Sequence, residues 1–320
     1  MSRYVSYLID DVRESTENTD FSDTIGIKNS EFLRYLNDGQ KRIQNLIVQK
    51  HPSVFLAEKT YTIVANQEAY TLPNDAFMGN KVTQVEYSYN SSGNNYFYPL
   101  RPGSLFERVR GTGGFALNRP EKYIRKSGQV LLVPPPTSNN GQLIVTYVQR
   151  LPKLDLRRGS VSSVTLDSST NTISALTLDV STDSVDSTEL DKFTRVSFVD
   201  EEGNIKMSNV KVTNINASTG VVTVDASFSY QTGETIESGN YIVAGDYAST
   251  HVMLDDLVER YLIAYATFKI LQRDSNLSDL STQQQVLLAM EDEIVEAYAE
   301  ISDDIIEIPE IISDDDTWGF

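Results

Sequence analysis

Apolar residues recur at three- and four-residue intervals in two stretches near the end of the chain. The first stretch contains Leu254, Leu257, Val258, Tyr261, Tyr265 and Phe268. The second contains Leu287, Met290, Ile294, Ala297, Ile301 and Ile305. Each stretch predicts a helix with one apolar face. A polar segment at 274–276 separates them, so we expect the two helices to pack antiparallel as a hairpin. Ser281 and Gln284 have the spacing of a capping box, which places the start of the second helix there.

A third helix is predicted nearer the N-terminus, from Glu31 to about Lys50. Its apolar face contains Phe32, Leu33, Leu36, Ile43, Leu46 and Ile47. Ser30 is the candidate N-cap, and His51 followed by Pro52 ends the helix, because a residue before proline avoids helical angles. A short apolar run also indicates a brief helix over about 4–12.

Between these helices the periodicity changes to the alternation that is typical of strands. The first part has strand candidates at 60–64, 70–73, 82–89, 130–133 and 143–148. From about residue 155 the chain becomes rich in Ser, Thr, Val and Asp, and nearly free of helical patterns. Six more strand candidates follow there, at 161–166, 173–178, 194–199, 209–215, 221–224 and 240–243. Short strands at this spacing, with polar turns between them, predict a small all-β barrel or sandwich.

Together these elements predict an α+β fold in three parts. Residues 1–154 and 246–305 form a core of the N-terminal helix, the C-terminal helical hairpin and an antiparallel β region. Residues 155–245 form the small all-β domain, inserted into that core. Residues 306–320 form an extended C-terminal tail.

The tail combines apolar residues with many carboxylates. The apolar ones are Ile306, Ile308, Ile311, Ile312, Trp318 and Phe320. The segment is too short and too acidic to form a core of its own, so one interpretation is a disordered end. The interpretation that we adopt is a docking tail that binds a partner through these six residues, since Trp318 is the only tryptophan of the chain.

Composition excludes several classes of function. The chain has no cysteine, which excludes disulfides and thiolate nucleophiles, and its two histidines are His51 and His251. It contains no Walker sequence, G-x-S-x-G, H-E-x-x-H or EF-hand loop, so we expect no catalytic residue, no cofactor and no metal. No stretch has the length of a membrane span and no signal peptide is evident, so we expect a soluble intracellular product that does not bind membranes.

The net charge of −18 is distributed unevenly along the chain. Residues 1–155 have 18 basic and 15 acidic side chains, whereas 156–245 have 6 and 12, and 246–320 have 3 and 18. The predicted outer face of the hairpin is acidic. Its carboxylates are Glu291, Asp292, Glu293, Glu296, Glu300, Asp303 and Asp304. A chain this acidic should repel nucleic acid, whose binding requires clustered Lys and Arg.

Several segments share their order and pattern with one protein family. They are the helix at 31–43, the strand and turn at 67–75 (QEAYTLPND), 98–102 (YPLRP), 119–123 (RPEKY), and 131–136 (LLVPPP) before the strand at 145–147. The stretch 252–305 is similar to the C-terminal helices of the same family. In these features the chain resembles the head-to-tail adaptor, or connector, proteins of tailed bacteriophages.

The resemblance implies a structural protein of the virion, made in the host cytoplasm, without catalytic activity. Such adaptors form a homo-oligomeric ring, commonly of twelve copies, below the portal protein at the capsid vertex. The implied partners are other copies of the chain, the portal protein and adjacent tail or ring proteins, with DNA passing through unbound. The insertion at 155–245 departs from the compact pattern of the family.

Two other functions fit parts of the sequence. The first is a phage tail-associated protein that binds or hydrolyses glycans, with the β insertion as its binding site. A sugar site needs exposed aromatic platforms, and 155–245 contains only Tyr230 and Tyr241 and no tryptophan. The second is a cytosolic, monomeric β-binding module, which would have no affinity for any virion protein.

Overall fold

The computed structural model describes residues 3–16, 27–77, 81–91, 94–106, 119–166, 173–179, 195–216, 219–225, 236–273 and 277–303. In this part of the chain there are four α-helices, α1 (Val5–Ser15), α2 (Asn29–Lys50), α3 (Asp256–Arg273) and α4 (Leu277–Asp303). A 3-10 turn at Pro52–Phe55 follows α2. The helices are combined with several sheets that are mostly antiparallel, so the predicted α+β class is confirmed.

The helices pack around one apolar core. Its fully buried side chains include Leu8, Phe32, Leu36, Ile43, Ile47 and Tyr261. The closest approach of α2 and α3 is at Gly39, where a Cβ atom would lie 3.0 Å from the ring of Tyr265 and 3.2 Å from Leu262. A larger residue would crowd these contacts, which accounts for a glycine inside a helix.

Several details of the helices differ from the prediction. α2 begins at Asn29 with Lys28 at its N-cap position, so Ser30 lies in the first turn and does not cap the helix. α4 begins at Leu277, because no glycine or proline separates this residue from Ser281, and the predicted capping box lies inside the helix. Ala297, predicted on the apolar face of α4, is exposed.

Glu291 was predicted on the acidic outer face of α4, and this assignment is wrong. The side chain is buried because two partners from other helices neutralise its charge and bind its oxygens. Arg42 Nε of α2 lies 2.7 Å from Glu291 Oε1, and the Tyr261 hydroxyl of α3 donates to the same oxygen at 2.8 Å. Burial, and then this hydrogen bond, raise the pKa of Tyr261 above its ordinary value, so the phenol stays a donor. One carboxylate thus joins three helices.

Two four-stranded sheets form the first β region. One has the order β1 (Leu56–Thr62), β8 (Gln142–Val148), β3 (Val82–Ser91) and β4 (Asn94–Pro99), with every pairing antiparallel. The other has the order β2 (Ala69–Thr71), β7 (Gln129–Val133), β6 (Lys122–Lys126) and β5 (Arg101–Pro102), and its last pair is parallel. A second apolar core lies among these strands. It includes Val85, Tyr87, Val130, Leu132, Leu143 and Val145.

Six of the remaining strands form a closed barrel. Their order is β10 (Gly159–Leu166), β11 (Ile173–Asp179), β14 (Val221–Val224), β13 (Ile205–Asn216), β12 (Arg195–Val199) and β15 (Tyr241–Ala244). The barrel encloses its own apolar core, which includes Val161, Val196, Phe198, Met207, Val210, Val222 and Ile242. The chain enters the barrel through β9 (Lys153–Leu154) and leaves it through β16 (Ala248–Ser249). These two strands pair in parallel, so entry and exit are adjacent.

The helical core generates the first prediction, which concerns Glu291. Glu291→Gln keeps the size of the side chain but removes the charge that Arg42 and the Tyr261 hydroxyl stabilise. We expect the free energy of unfolding to fall by about 2 kcal/mol, the scale of a hydrogen bond to a charged group. Chemical denaturation measures this loss. Glu293→Gln, on the exposed face of the same helix, is the control and should change stability by less than about 0.5 kcal/mol. Equal losses in the two variants would contradict this account.

We propose that residues 155–245 are an inserted domain that the rest of the chain does not need in order to fold. Lys153 N donates to Tyr247 O at 2.9 Å, so a short Gly/Ser linker from Leu154 to Asp246 can close the gap. The shortened chain should keep its helical circular dichroism signal and a cooperative thermal transition. Loss of the cooperative transition, with the full chain retaining one, would show that the barrel is part of the core.

Candidate docking surface

A surface groove runs between the barrel, the first β region and the helical hairpin, and we call it the barrel groove. It consists of two adjoining cavities of about 640 and 910 Å³. Gln149, Ile205 and Tyr247 line both cavities and so join them. These residues lie just after β8, at the start of β13 and just before β16, so the groove exists only when the barrel is docked on the rest of the chain.

The end of the groove nearer the helices is mainly apolar. Its walls include Val54, Phe55, Leu151, Pro152, Ile205, Met253, Leu254 and Tyr298. Met253 exposes 38% of its surface, and Val54, Phe55, Leu151 and Leu254 are half-buried. Apolar side chains are therefore accessible to solvent at this end.

The far end of the groove is polar and has a hydrogen-bonded floor. The Tyr147 hydroxyl donates to Asp75 at 3.1 Å, and Gln149 Nε2 donates to Asp75 Oδ2 at 2.8 Å and to the Tyr247 hydroxyl at 3.0 Å. Burial, and then the negative charge of Asp75, raise the pKa of Tyr247 to about 12. The same two causes raise the pKa of Tyr61, on β1, to about 12. Both phenols are therefore neutral at physiological pH.

Two contacts hold the barrel against the groove floor. Arg150 Nη2 lies 2.8 Å from Asp246 Oδ2, and Asn74 Nδ2 donates to Asp246 O at 2.8 Å. The Arg150 guanidinium also lies 5.5 Å from the centre of the Tyr247 ring, within the range of a cation–π contact. The first β region is thereby attached to the segment that leaves the barrel.

A buried ion pair lies at the base of the barrel. Arg158 Nη2 lies 2.7 Å from Asp155 Oδ1, and Ala244 N donates to Asp155 Oδ2 at 2.7 Å. Both side chains are buried. A buried carboxylate is stable only when its charge and its lone pairs are satisfied, as they are here. The pair therefore joins the segment between β9 and β10 to the end of β15.

A stack of side chains adjoins this ion pair. The Arg157 guanidinium lies 4.1 Å from the ring centre of Tyr4 and 3.9 Å from that of Tyr241, and Tyr4 also packs on His251. Gly203 has a φ of +85°, and a Cβ atom there would overlap the His251 ring. The turn of the barrel that contains Gly203 can approach the His251 ring this closely only with glycine at that position.

The surroundings of His251 favour its neutral form. Burial, followed by the positive charge of Arg157, lowers the pKa of His251 below its ordinary value, while Asp200 opposes this shift. Burial alone would raise the pKa of Asp200. Hydrogen bonds from Asn204 and Lys206 outweigh this effect and lower the pKa of Asp200 below its ordinary value. The junction thus contains a neutral imidazole and an ionised carboxylate.

The six predicted docking residues, Ile306, Ile308, Ile311, Ile312, Trp318 and Phe320, lie outside the described residues. The described chain ends at Asp303, and Tyr298, one turn and a half earlier, lines the apolar end of the groove. Sequence reasoning missed the groove, because its walls come from segments about fifty residues apart. It also missed the Arg157 stack, for which no local motif exists.

The described residues contain no cluster of three His, Asp or Glu side chains that could hold a metal ion. None of the helices in these ranges is long and apolar enough to cross a membrane. The arrangement is that of a surface suited to binding a protein segment, with apolar contacts at one end and hydrogen-bonding groups at the other.

Comparison with models of protein families gives a match. A family model described as SU10 adaptor protein matches residues 5–171, which is more than half of the chain. The matched span covers α1, α2, the first β region and the start of the barrel, but not α3 and α4. A search of curated proteins finds no match. The predicted relationship to phage head-to-tail adaptors is confirmed, and the chain belongs to the SU10 adaptor protein family of structural virion proteins.

Proposed function

We propose that copies of this chain form a closed ring, of twelve subunits, which joins the portal protein at the capsid vertex to the next component of the tail. Viral DNA passes through the centre of this ring during ejection. The observation that carries the proposal is the match of residues 5–171 to an adaptor family. The chain acts by contact with other virion components and performs no catalysis.

The distribution of charge supports a ring that surrounds DNA. Residues 246–320 have 3 basic and 18 acidic side chains. On α4, Asp292, Glu293 and Glu296 are exposed. A surface beside a DNA path must not bind phosphates, and carboxylates repel them. We therefore place the acidic face of α4 toward the channel.

The same asymmetry supports contacts between unlike surfaces. A closed ring is built from heterologous contacts, in which one surface of a subunit binds a different surface of the next. Residues 1–155 have a slight excess of basic side chains, whereas the C-terminal part is strongly acidic. Opposite charges on different parts of one chain favour such a head-to-tail arrangement.

The tail 306–320 has the composition of a segment that docks on a neighbour, through Ile306, Ile308, Ile311, Ile312, Trp318 and Phe320. Ordering fifteen residues costs more conformational entropy than six apolar side chains return. Docking therefore needs main-chain hydrogen bonds as well, and the high effective concentration that a preassembled ring supplies.

The glycan-binding alternative receives no support from the described part of the barrel. Of the two tyrosines in 155–245, Tyr230 lies outside the described residues, and Tyr241 packs against the Arg157 guanidinium at 3.9 Å. One face of that ring is therefore covered, which leaves a poor platform for a sugar.

Native mass spectrometry, alone and with the portal protein of the same phage, tests the proposed function. We expect a species of twelve 35.8 kDa subunits when the portal is present. A chain that remains monomeric in both samples at assembly concentrations would contradict a ring adaptor and favour the monomeric binding module.

A chain that lacks residues from Glu307 onward is the matched variant for the same experiment. Because this deletion leaves every described element in place, its melting temperature should equal that of the full chain. It should nevertheless fail to attach to portal-bearing capsids. Wild-type occupancy of the vertex by the shortened chain would show that the tail is not a docking element.

A further inference from the structure

The barrel groove has an apolar end that the subunit itself leaves open to solvent. Met253 exposes 38% of its surface there, beside the half-buried Phe55 and Leu151. The neighbouring helical core, by contrast, consists of side chains that are fully buried. Clusters of accessible apolar side chains in a soluble subunit are typical of surfaces that bind another polypeptide.

An edge strand of a sheet lies at the other end of the groove. β1 is an edge strand, because in the described ranges it pairs with β8 and with no second strand. Glu58, Lys59 and Tyr61 of β1 line this end of the groove. The N–H and C=O groups of an edge strand are a template for an extended peptide, which adds to the sheet as a further strand.

The segment that follows α4 has the composition that such a groove would bind. Residues 305–312 contain five isoleucines, and Ile306 and Ile308 alternate with an acidic residue as in a half-buried strand. The described end of α4, Asp303, lies five residues beyond Tyr298, which lines the apolar end of the groove. At 1.5 Å per residue, α4 extends about 7.5 Å past this wall.

The proposed ring favours the groove of an adjacent copy as the site for this segment. Residues 304–312 span about 30 Å when extended, which is enough to reach a neighbouring subunit. A head-to-tail ring also needs one donor and one different acceptor surface on each subunit.

We propose that the barrel groove of each copy binds residues 306–312 of the adjacent copy. The isoleucines pack at the apolar end near Met253, and the main chain pairs with β1 as an added outer strand. This inference rests on the proposed function, because only a ring holds successive copies side by side in this way.

The absence of cysteine from the chain allows a direct test by disulfide trapping. One population has Met253→Cys, and a second, with an added mass tag, has Ile308→Cys. The two are mixed, assembled with the portal protein, oxidised and separated on a non-reducing gel. We expect a covalent heterodimer that contains most of the tagged chain. Tyr96→Cys is the matched control, because Tyr96 is 67% exposed on β4 but does not line the groove. It should give no heterodimer with Ile308→Cys.

A single chain with both Met253→Cys and Ile308→Cys distinguishes the neighbouring groove from the chain's own. Covalent oligomers are expected, whereas a disulfide within one chain would overturn the proposal. Equal trapping by Met253→Cys and Tyr96→Cys, or none by either, would also overturn it. Native mass spectra of the same samples before oxidation distinguish failure of the groove assignment from failure of the proposed function. Rings without trapping contradict the groove assignment alone, and a wild-type chain that forms no ring contradicts the proposed function.

Discussion

The buried ion pair of Asp155 and Arg158 holds together the two segments of chain at the base of the barrel. It lies where the chain enters the barrel, and Asp155 also accepts the main-chain N–H of Ala244 where the chain leaves. Separating these two segments would leave the Asp155 carboxylate buried with fewer hydrogen-bond partners, which is costly. The barrel groove depends on this junction, because the barrel contributes Ile205 to its lining.

Charged contacts also join other parts of the subunit. The Glu291 carboxylate joins three helices, and the Arg150 contact with Asp246 ties the first β region to the barrel. Charged groups, as well as apolar packing, thus join the helices to one another and the first β region to the barrel.

The elements with strong periodicity could be predicted from the sequence, and features that depend on tertiary contacts could not. Apolar spacing located α2, α3 and α4, but it placed Glu291 on the surface, because its partners Arg42 and Tyr261 come from other helices. The start of α4 was misplaced because Ser281 matches a capping box that the longer helix does not use. The groove was missed, since Gln149, Ile205 and Tyr247 meet only after folding.

The most direct test of this account is an electron cryo-microscopy map of the chain bound to its portal protein. The account predicts a ring around the portal axis, with the acidic face of α4 toward the channel. It also predicts continuous main-chain density that leaves α4 of one subunit and runs along β1 of the next. A map with one isolated copy per portal, or with α4 on the outer wall and β1 open to solvent, would contradict it.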